Sequence, residues 1–561
     1  MAKYALGLDF GTLSGRAALA DIRDGRIVST AERAYPHGVM TDRLPDGTAL
    51  PPDWALQHPQ DYLDVMASIV PEAVTQAGVQ PRDVIGIGVD VTACTVMPVD
   101  REGVPLCMRP QWAGHPHAYL KLWKHHSAQR FADEITRVAA ERKEPWLKDY
   151  GGRVSSEWSL PKLWEVLAED PAVYGAMFEW IEATDWLVWQ LTGNDTKNAC
   201  AAGYKNLHRK HGGYPDEAFY AALDPRLRHV IAEKCFTPVS PLGSRAGVLR
   251  PEMALKLGLE PGTPVAVGNV DAHVCVPAAG MTRPGQMLDI IGTSGCHMCL
   301  AEQKADVPGI CGMVEDGLLP GAWGYEAGQS CVCDHFAWFC ENCVPAGYRQ
   351  AAGQRGVNIH QYLTGLAEKL RPGESGLLAL DWWNGNRSVL VDFDLTGLML
   401  GMTLRTRPEE IYRALIEATA YGSRMIIENY REHGVPVDSF IATGGISRKN
   451  GMAMQIYADV LNMPVQVADA EQGAALGSAI FGAVAAGPRA GGYANVTEAA
   501  QAMSAPVRAV YRPDSGNAAV YDALFAEYRR LHDYFGRGEN TVMHHLKEIR
   551  RDAFSQQQLG R

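Results

Sequence analysis

"GLDFGTLSGR", residues 7–16, sets three glycines, Asp9, Thr12, Ser14 and Arg16 directly behind a short apolar start. Two readings compete for it. It is either a glycine β-turn closing a first hairpin or a turn whose backbone N–H groups cradle a phosphate, with Asp9 as a carboxylate for Mg²⁺. "YALGLDF" before it and "AALADI", "RDGR" and "IVSTAERAY" after it read as a strand meander, with Asp24-Gly25 at a hairpin turn. Alone, such a glycine pattern stays with the plainer reading. Two further strand-to-glycine sites change the balance. "DIIGTSG" (289–295) echoes the opening as Asp289, Gly292, Thr293, Ser294 and Gly295, and "TGGISRKN" (443–450) adds Gly444 and Gly445. Turns spread over both halves of the chain suit a grip on β- and γ-phosphates from opposite walls of a cleft. Neither G-x-x-x-x-G-K-[ST] nor G-x-G-x-x-G after a first strand is present, which counts against P-loop and Rossmann readings.

The bulk composition frames that cleft. A chain of 561 residues exceeds what one core usually serves, so two large domains are expected, with the boundary near Arg283-Pro284-Gly285. The reading assigns 1–282 to an N-terminal domain, 283–540 to a C-terminal domain and 541–561 to a mobile polar tail. With 52 Lys and Arg against 64 Asp and Glu, the charge of −12 excludes a general nucleic-acid binder. No run of about 18 apolar residues occurs and no signal peptide is evident, so a cytoplasmic protein with no membrane partner is expected. Twelve cysteines are too dilute for a disulfide framework. Cys331, Cys333, Cys340 and Cys343 in "CVCDHFAWFCENC" offer a structural metal site, against the alternative of an amphipathic helix start at Asp334; "CHMC" (296–299) is a lesser candidate.

Periodicity fills in the elements. "VIGIGVDV" (84–91) reads as a buried strand entering the first sheet after a helix around "DYLDVMASIVPEAVTQAG". "EEIYRALIEATAYGSRMIIENYREHG" is a helix closed by Gly434, "GMAMQIYADVLNM" another, and "QGAALGSAIFGAVAAG" a small-residue helix that permits close approach to a neighbour. A last amphipathic helix runs from about Ser515 to Phe535. His115, His117, His125 and His126 are expected to face solvent.

"GLDFGTLSGR", "GNVDAH" (268–273), "DIIGTSG" and "TGGISRKN", in this order and at these separations, resemble the FGGY carbohydrate kinases over roughly residues 4–490. "SLPKLWEVL" meets the family's Lys-apolar-Trp pattern only loosely. The resemblance implies an α/β protein of two ribonuclease-H-like domains, of the actin, hexokinase and Hsp70 superfamily, around a central cleft. It implies use of ATP and Mg²⁺ to phosphorylate the terminal hydroxyl of a sugar or polyol. "DVTAC", "GYKNL" and "WGYEAGQS" look most like the branch acting on L-ribulose in arabinose catabolism; D-ribulose, xylulose or glycerol are the alternative acceptors. An ATP-gated binding protein like the actin and Hsp70 branches is the rival from another class.

The chemistry asks for a carboxylate that accepts a hydroxyl proton while orienting the oxygen towards phosphorus. Asp271, behind the apolar "PVAVGNV" and among small residues, is the candidate base and matches the family's G-x-x-D aspartate; a helix N-cap is its ordinary alternative. The resemblance gives Asp9 to Mg²⁺ through water. It places Thr12, Ser14, Arg16, Gly292 and Thr293 at the terminal phosphates and Gly11, Gly328, Gly444, Gly445 and Asn450 around the nucleotide. Asp90, Ala93, Trp123, Lys205 and Glu326 form the expected sugar set. Their ordinary alternatives are a solvated Lys205, a surface arginine pairing Glu326, and a core role for Trp123. Expected partners are a small-molecule sugar and, as an open alternative, a second copy of the chain.

Overall fold

Two seven-stranded sheets, one from each half of the chain, carry the fold in the computed structural model, which describes residues 2–559. The first holds β1 (Tyr4–Phe10), β2 (Ser14–Asp21), β3 (Ile27–Ala34), β4 (Val84–Val91), β5 (Arg245–Val248), β6 (Pro264–Ala266) and the two-residue β7 (Asn269–Val270). Their order is β5-β6-β4-β1-β2-β3, with β7 beside β4. The second holds β8 (Gln286–Ile291), β9 (Gly295–Ala301), β10 (Gly312–Glu315), β11 (Trp323–Gln329), β12 (Ser439–Thr443), β13 (Val465–Ala468) and β14 (Val507–Tyr511), ordered β10-β11-β9-β8-β12-β13-β14. In both, three antiparallel strands (β3-β2-β1, β11-β9-β8) continue into two parallel ones (β4-β6, β12-β13). The echo between the glycine turns is thus an echo between whole sheets, the ribonuclease-H-like arrangement occurring twice.

Helices cover both faces of the first sheet, which is why β4 is buried at every position and reads as a continuous apolar run. Helix α1 (Pro59–Ala77) lies on the β2 and β3 side. The other face receives α2 (Asp271–Ala278) and α3 (Gly473–Ala486), the second of which comes from the far end of the chain. Gly86 and Gly88 share one face of β4, and Gly7 pairs with Gly88 across from β1, so the sheet presents a bare backbone patch there. Helix α3 rests directly on it. A Cβ on Gly7, Gly88 or Gly86 would fall 1.8 Å from the carbonyl oxygen of Ala475, 1.9 Å from that of Ser478 and 2.0 Å from that of Gly482. Gly477 does the same for the α2 contact, 1.9 Å from the Val274 carbonyl. Around the two helices one apolar cluster takes side chains from both sheets, including Ala5, Ile85, Leu288 and Ile441.

Residues between β4 and β5, joined by part of the β3–β4 connection, add a lobe built round a small sheet of Leu56–Gln57, Leu120–Lys121, Val96–Val99 and Glu179–Glu182. Here the structure corrects the expectation for the histidines. His125 is fully buried and His117 nearly so, because His125 Nε2 (2.9 Å) and Lys121 Nζ (3.0 Å) share the Glu165 carboxylate and satisfy one another away from water. His115 is half-buried and paired with Asp170, while His126 is exposed.

The tail from 541 is also different. Val542–Leu559 is a helix, anchored by buried Met543 and by His544 Nε2 at 2.7 Å from Asp392. Cys333 and Cys340 sit on the helix Cys333–Asn342 with Asp334 in its first turn, while Cys343 is exposed beyond it. Among the described residues no three ligand atoms converge at these cysteines or at "CHMC"; the one such group is His37, His58 and Asp61. No helix among the described residues is long and apolar enough to cross a membrane.

Gly88→Val is expected to destabilise the protein by on the order of 3 kcal/mol, since neither the strand nor the helix backbone can yield. Gly365→Ala, on a helix with open space around it, is expected to be neutral or stabilising. Equilibrium denaturation of the two variants checks both signs.

Candidate active site

The first glycine turn joins β1 to β2 and is held by its neighbours. Gly11 N–H donates to the Ser14 carbonyl (3.0 Å), the Tyr35 hydroxyl to the Gly11 carbonyl (3.0 Å), Gln57 Nε2 to the Thr12 carbonyl (2.8 Å) and Trp123 Nε1 to the Thr12 hydroxyl (3.1 Å). Among the described residues the Thr12 and Leu13 amides have no acceptor, the condition for an anion cradle. The second turn joins β8 to β9. Gly292 N–H donates to the Ser294 carbonyl (2.9 Å), and the Val332 and Cys333 amides draw the Thr293 and Gly292 carbonyls towards the helix Cys333–Asn342 (2.8 and 3.1 Å). The amides of Thr293 and Ser294 again lack an acceptor among the described residues, and Gly292 and Thr293 are exposed. Gly444, with φ of 103°, presses the third turn against the end of β8: a Cβ there would lie 2.3 Å from the Ile291 carbonyl oxygen. Gly445 is exposed at the start of the helix that follows.

The echo stops at the carboxylates. Phe10 pairs with Gly15 but Ile291 with Gly295, so the second turn is one residue shorter. Asp289 also stands one residue further from its glycine than Asp9 does, so it takes the place of Leu8 rather than that of Asp9 and points to the other face. It is fully buried, with His297 Nε2 at 3.3 Å. One carboxylate, Asp9, serves the cleft from these two turns.

Asp9 and Asp90 are register partners on adjacent parallel strands. Burial raises both carboxyls. For Asp9 this is opposed by the Arg16 guanidinium at 3.2 Å; for Asp90 the neighbouring Asp9 charge adds to it. Asp90 has no exposed surface, accepts from the Ser478 hydroxyl of α3 at 2.5 Å, and leaves Oδ1 without a partner. It stands beside Asp9, fully buried, with Ser478 as its hydrogen-bond donor. Two side-by-side carboxyls, one with an orphaned oxygen, fit a hard divalent cation, which would favour their ionised forms.

Asp271 opens α2, where its Oδ1 accepts from the Ala272 amide (2.6 Å). Burial first, then the Asp9 charge, push it up to about 7. The same carboxylate is near enough to Cys296, just past the second turn, to add to the rise that burial causes in that thiol. Asp9, just before the first turn, and Cys296, just past the second, thus both lie within electrostatic reach of Asp271. Beside it, Lys205 donates to Glu326 Oε2 at 2.7 Å, and His273 Nε2, stacked on Tyr204, lies 3.2 Å from the same oxygen. Burial opposes ionisation of both groups, yet their mutual attraction wins, holding Lys205 above and Glu326 below their usual ranges. Neither ordinary alternative applies: Lys205 is buried and Glu326 pairs with it across the two halves.

Ala93 and Trp123 are half-buried on neighbouring loops. Sequence reasoning missed what binds those loops together. Lys162, fully buried, donates to the carbonyls of Cys94 (2.7 Å) and Leu122 (2.8 Å), one residue from each. Its only sequence signal was a lysine on an otherwise apolar helix, "SLPKLWEVL". Ser14 and Arg16 are tied to Glu32 (2.7 and 2.9 Å) at the rim of the first turn. Gly328 is buried within β11 and supports the second turn from behind. Asn450 uses its side chain to cap the helix Gly451–Leu461 and to bond Thr364.

Residues 4–276 match the N-terminal domain, and residues 288–486 the C-terminal domain, of the FGGY family of carbohydrate kinases. The chain belongs to that family. This FGGY kinase is 52% identical over 552 residues to a protein named Ribulokinase from Geobacillus thermodenitrificans (strain NG80-2), spanning 98% of each chain. It is 47% identical over 560 residues to a Ribulokinase from Mycolicibacterium smegmatis, spanning 100% of this chain and 98% of that one. In fold it matches the crystal structure of a xylulose kinase from Rhodospirillum rubrum (TM-score 0.76, 24% identity, 94% of this chain and 98% of that one). It also matches a glycerol kinase from Plasmodium falciparum with ADP (TM-score 0.75, 15% identity, 94% and 98%).

In the FGGY kinase described here, Lys205→Met leaves Glu326 as a buried anion without its cation and is expected to cost about 3 kcal/mol. Adding Glu326→Gln is expected to recover at least half of that, and a double-mutant cycle by thermal or chemical denaturation reads the coupling.

Proposed function

We propose that this FGGY kinase transfers the terminal phosphoryl group of ATP to the terminal hydroxyl of L-ribulose, giving L-ribulose 5-phosphate and ADP in arabinose breakdown. Two things support the reading: near full-length identity of about half to proteins named Ribulokinase, and a raised carboxyl at Asp271 within electrostatic reach of Asp9 and of the buried Lys205–Glu326 pair, with an amide-lined turn in each half. The observation that carries it is the environment of Asp271. A carboxyl raised to about 7 is poised to take a proton near neutrality.

In this reading the N-terminal half holds the sugar and the C-terminal half the nucleotide. Lys205 and Glu326 hold a fixed donor and acceptor for the sugar's hydroxyls, a pairing that a deoxy analogue leaves unsatisfied. Trp123 contributes a flat apolar face. The free amides at Thr12, Leu13, Thr293 and Ser294 bind phosphate oxygens from two sides and set the terminal phosphorus in line with the sugar oxygen. Asp271 accepts the hydroxyl proton as the new P–O bond forms; the bond to the β-phosphate breaks and ADP leaves. Asp9, supported by Asp90, would hold Mg²⁺, which supplies charge neutralisation at the phosphates. Approach of the two walls excludes water, against which ATP would otherwise be spent.

A coupled ADP-release assay over a panel of ketoses and polyols is expected to show the highest kcat/KM with L-ribulose. No stimulation by any sugar would overturn the reading. Asp271→Asn is expected to lower kcat by about 10³-fold or more with nucleotide binding retained. Because Asp271 must be ionised to act, kcat/KM is expected to fall about tenfold per pH unit below about 7. A flat profile from pH 5.5 to 8 would contradict its role as base.

A further inference from the structure

Arg387 belongs to a segment, "DWWNGNRS" (381–388), to which the sequence reading assigned no role. Its aliphatic stem crosses Gly328: a Cβ on that glycine would lie 3.1 Å from Arg387 Cδ, 3.5 Å from Nη1, and 2.9 Å from the carbonyl oxygen of Gly295, the residue that ends the second turn. Next to it the Ser388 hydroxyl accepts the Gly328 N–H at 3.3 Å and lies 3.8 Å from Cys311 Sγ. The stem is fixed by contacts that use none of the guanidinium's own N–H groups.

The head is half-buried and, among the described residues, makes no hydrogen bond or ion pair. Glu157 from the N-terminal half and Glu326 are close enough to keep it firmly protonated without touching it. A guanidinium drawn from water with its planar fork of donors unmatched carries a desolvation cost that a ligand's acceptors offset. The chemistry of that ligand follows from the neighbours. Lys205 and His273 hold Glu326 at its Oε2, and that carboxylate makes no ion pair with the guanidinium, whereas the second turn offers free amides for an anion, and a planar fork suits phosphoryl oxygens best.

We propose that Arg387 is a catalytic residue that hydrogen-bonds the phosphoryl group in transfer and neutralises the charge spread over its oxygens. This rests on the phosphoryl transfer proposed above. The phosphorus exchanges its bond to ADP for one to the sugar oxygen, the hydroxyl proton passes to Asp271, and Arg387 neither gives nor takes a proton.

The test uses the full chain with Arg387→Met and Arg387→Lys. With ribulose and ATP, Arg387→Met is expected to lose about 10²–10³ in kcat, with KM for either substrate moving less than about threefold. ATP hydrolysis without sugar is expected to fall in parallel, and Arg387→Lys to recover part of both. A kcat for Arg387→Met within about threefold of wild type would overturn the proposal. So would a raised ribulose KM at unchanged kcat, which would place Arg387 on the sugar. Glu157→Gln is expected to keep kcat; if it copies Arg387→Met, the two residues form a closure pair across the cleft and the proposal fails. Wild-type turnover on the sugars separates this from failure of the ribulose reading, because sugar-free hydrolysis tests Arg387 whatever the acceptor.

Discussion

Everything in the molecule depends on the seating of a helix from the end of the chain on a bare strip of sheet from its beginning. Gly7, Gly86 and Gly88 leave no side chains on that strip, so the carbonyls of Ala475, Ser478 and Gly482 come within contact of strand backbone. The approach is too close for any other residue type. Its effect is to bring the two halves into one core, so that Asp9 beside the first turn and Cys296 beside the second both come within electrostatic reach of Asp271. Ser478, on the same helix, bonds Asp90 beside Asp9, so the packing contact and the electrostatics of the cleft share one element.

The cleft places three carboxyls, at Asp9, Asp90 and Asp271, where burial disfavours charge on all of them. Each is turned to a different use by its nearest partner. Asp9 has Arg16 and the rim, Asp90 has Ser478 and an orphaned oxygen, and Asp271 has the first amide of its helix and the space between the two turns. Such divergence among neighbouring acids is how one site provides both a cation-holding group and a base. The buried Lys205–Glu326 pair adds a fixed donor and acceptor contributed by opposite halves, so the sugar would be held only when the halves are correctly placed.

Much of this was legible in the chain. Period-two apolar runs with turn signals marked β1 to β3, the run 84–91 marked β4, and the small-residue composition of 473–486 foretold a close contact, although not with which strand. Among the site residues named from the motifs, Asp90 and Asn450 have their side chains engaged within the protein, for a physical reason. Polarity in sequence does not say whether a side chain is already engaged, and Asp90 and Asn450 are spent on Ser478 and a helix cap. The same blindness hid His125 and Lys162, whose polar atoms are satisfied inside the lobe by Glu165 and by two backbone carbonyls. Asp289 shows a subtler limit: one extra residue between it and its glycine puts it on the other face of the strand, so a motif that repeats in composition need not repeat in space.

The central claim is that the two amide-lined turns and Asp271 act on one phosphoryl group. The most direct measurement is a crystal structure of the protein with ribulose and a non-hydrolysable ATP analogue. The account predicts the terminal phosphate against the amides at Thr12 and Thr293, with the sugar's terminal oxygen within hydrogen-bond distance of Asp271. A nucleotide bound away from either turn, or a sugar whose terminal hydroxyl faces another residue, would contradict it.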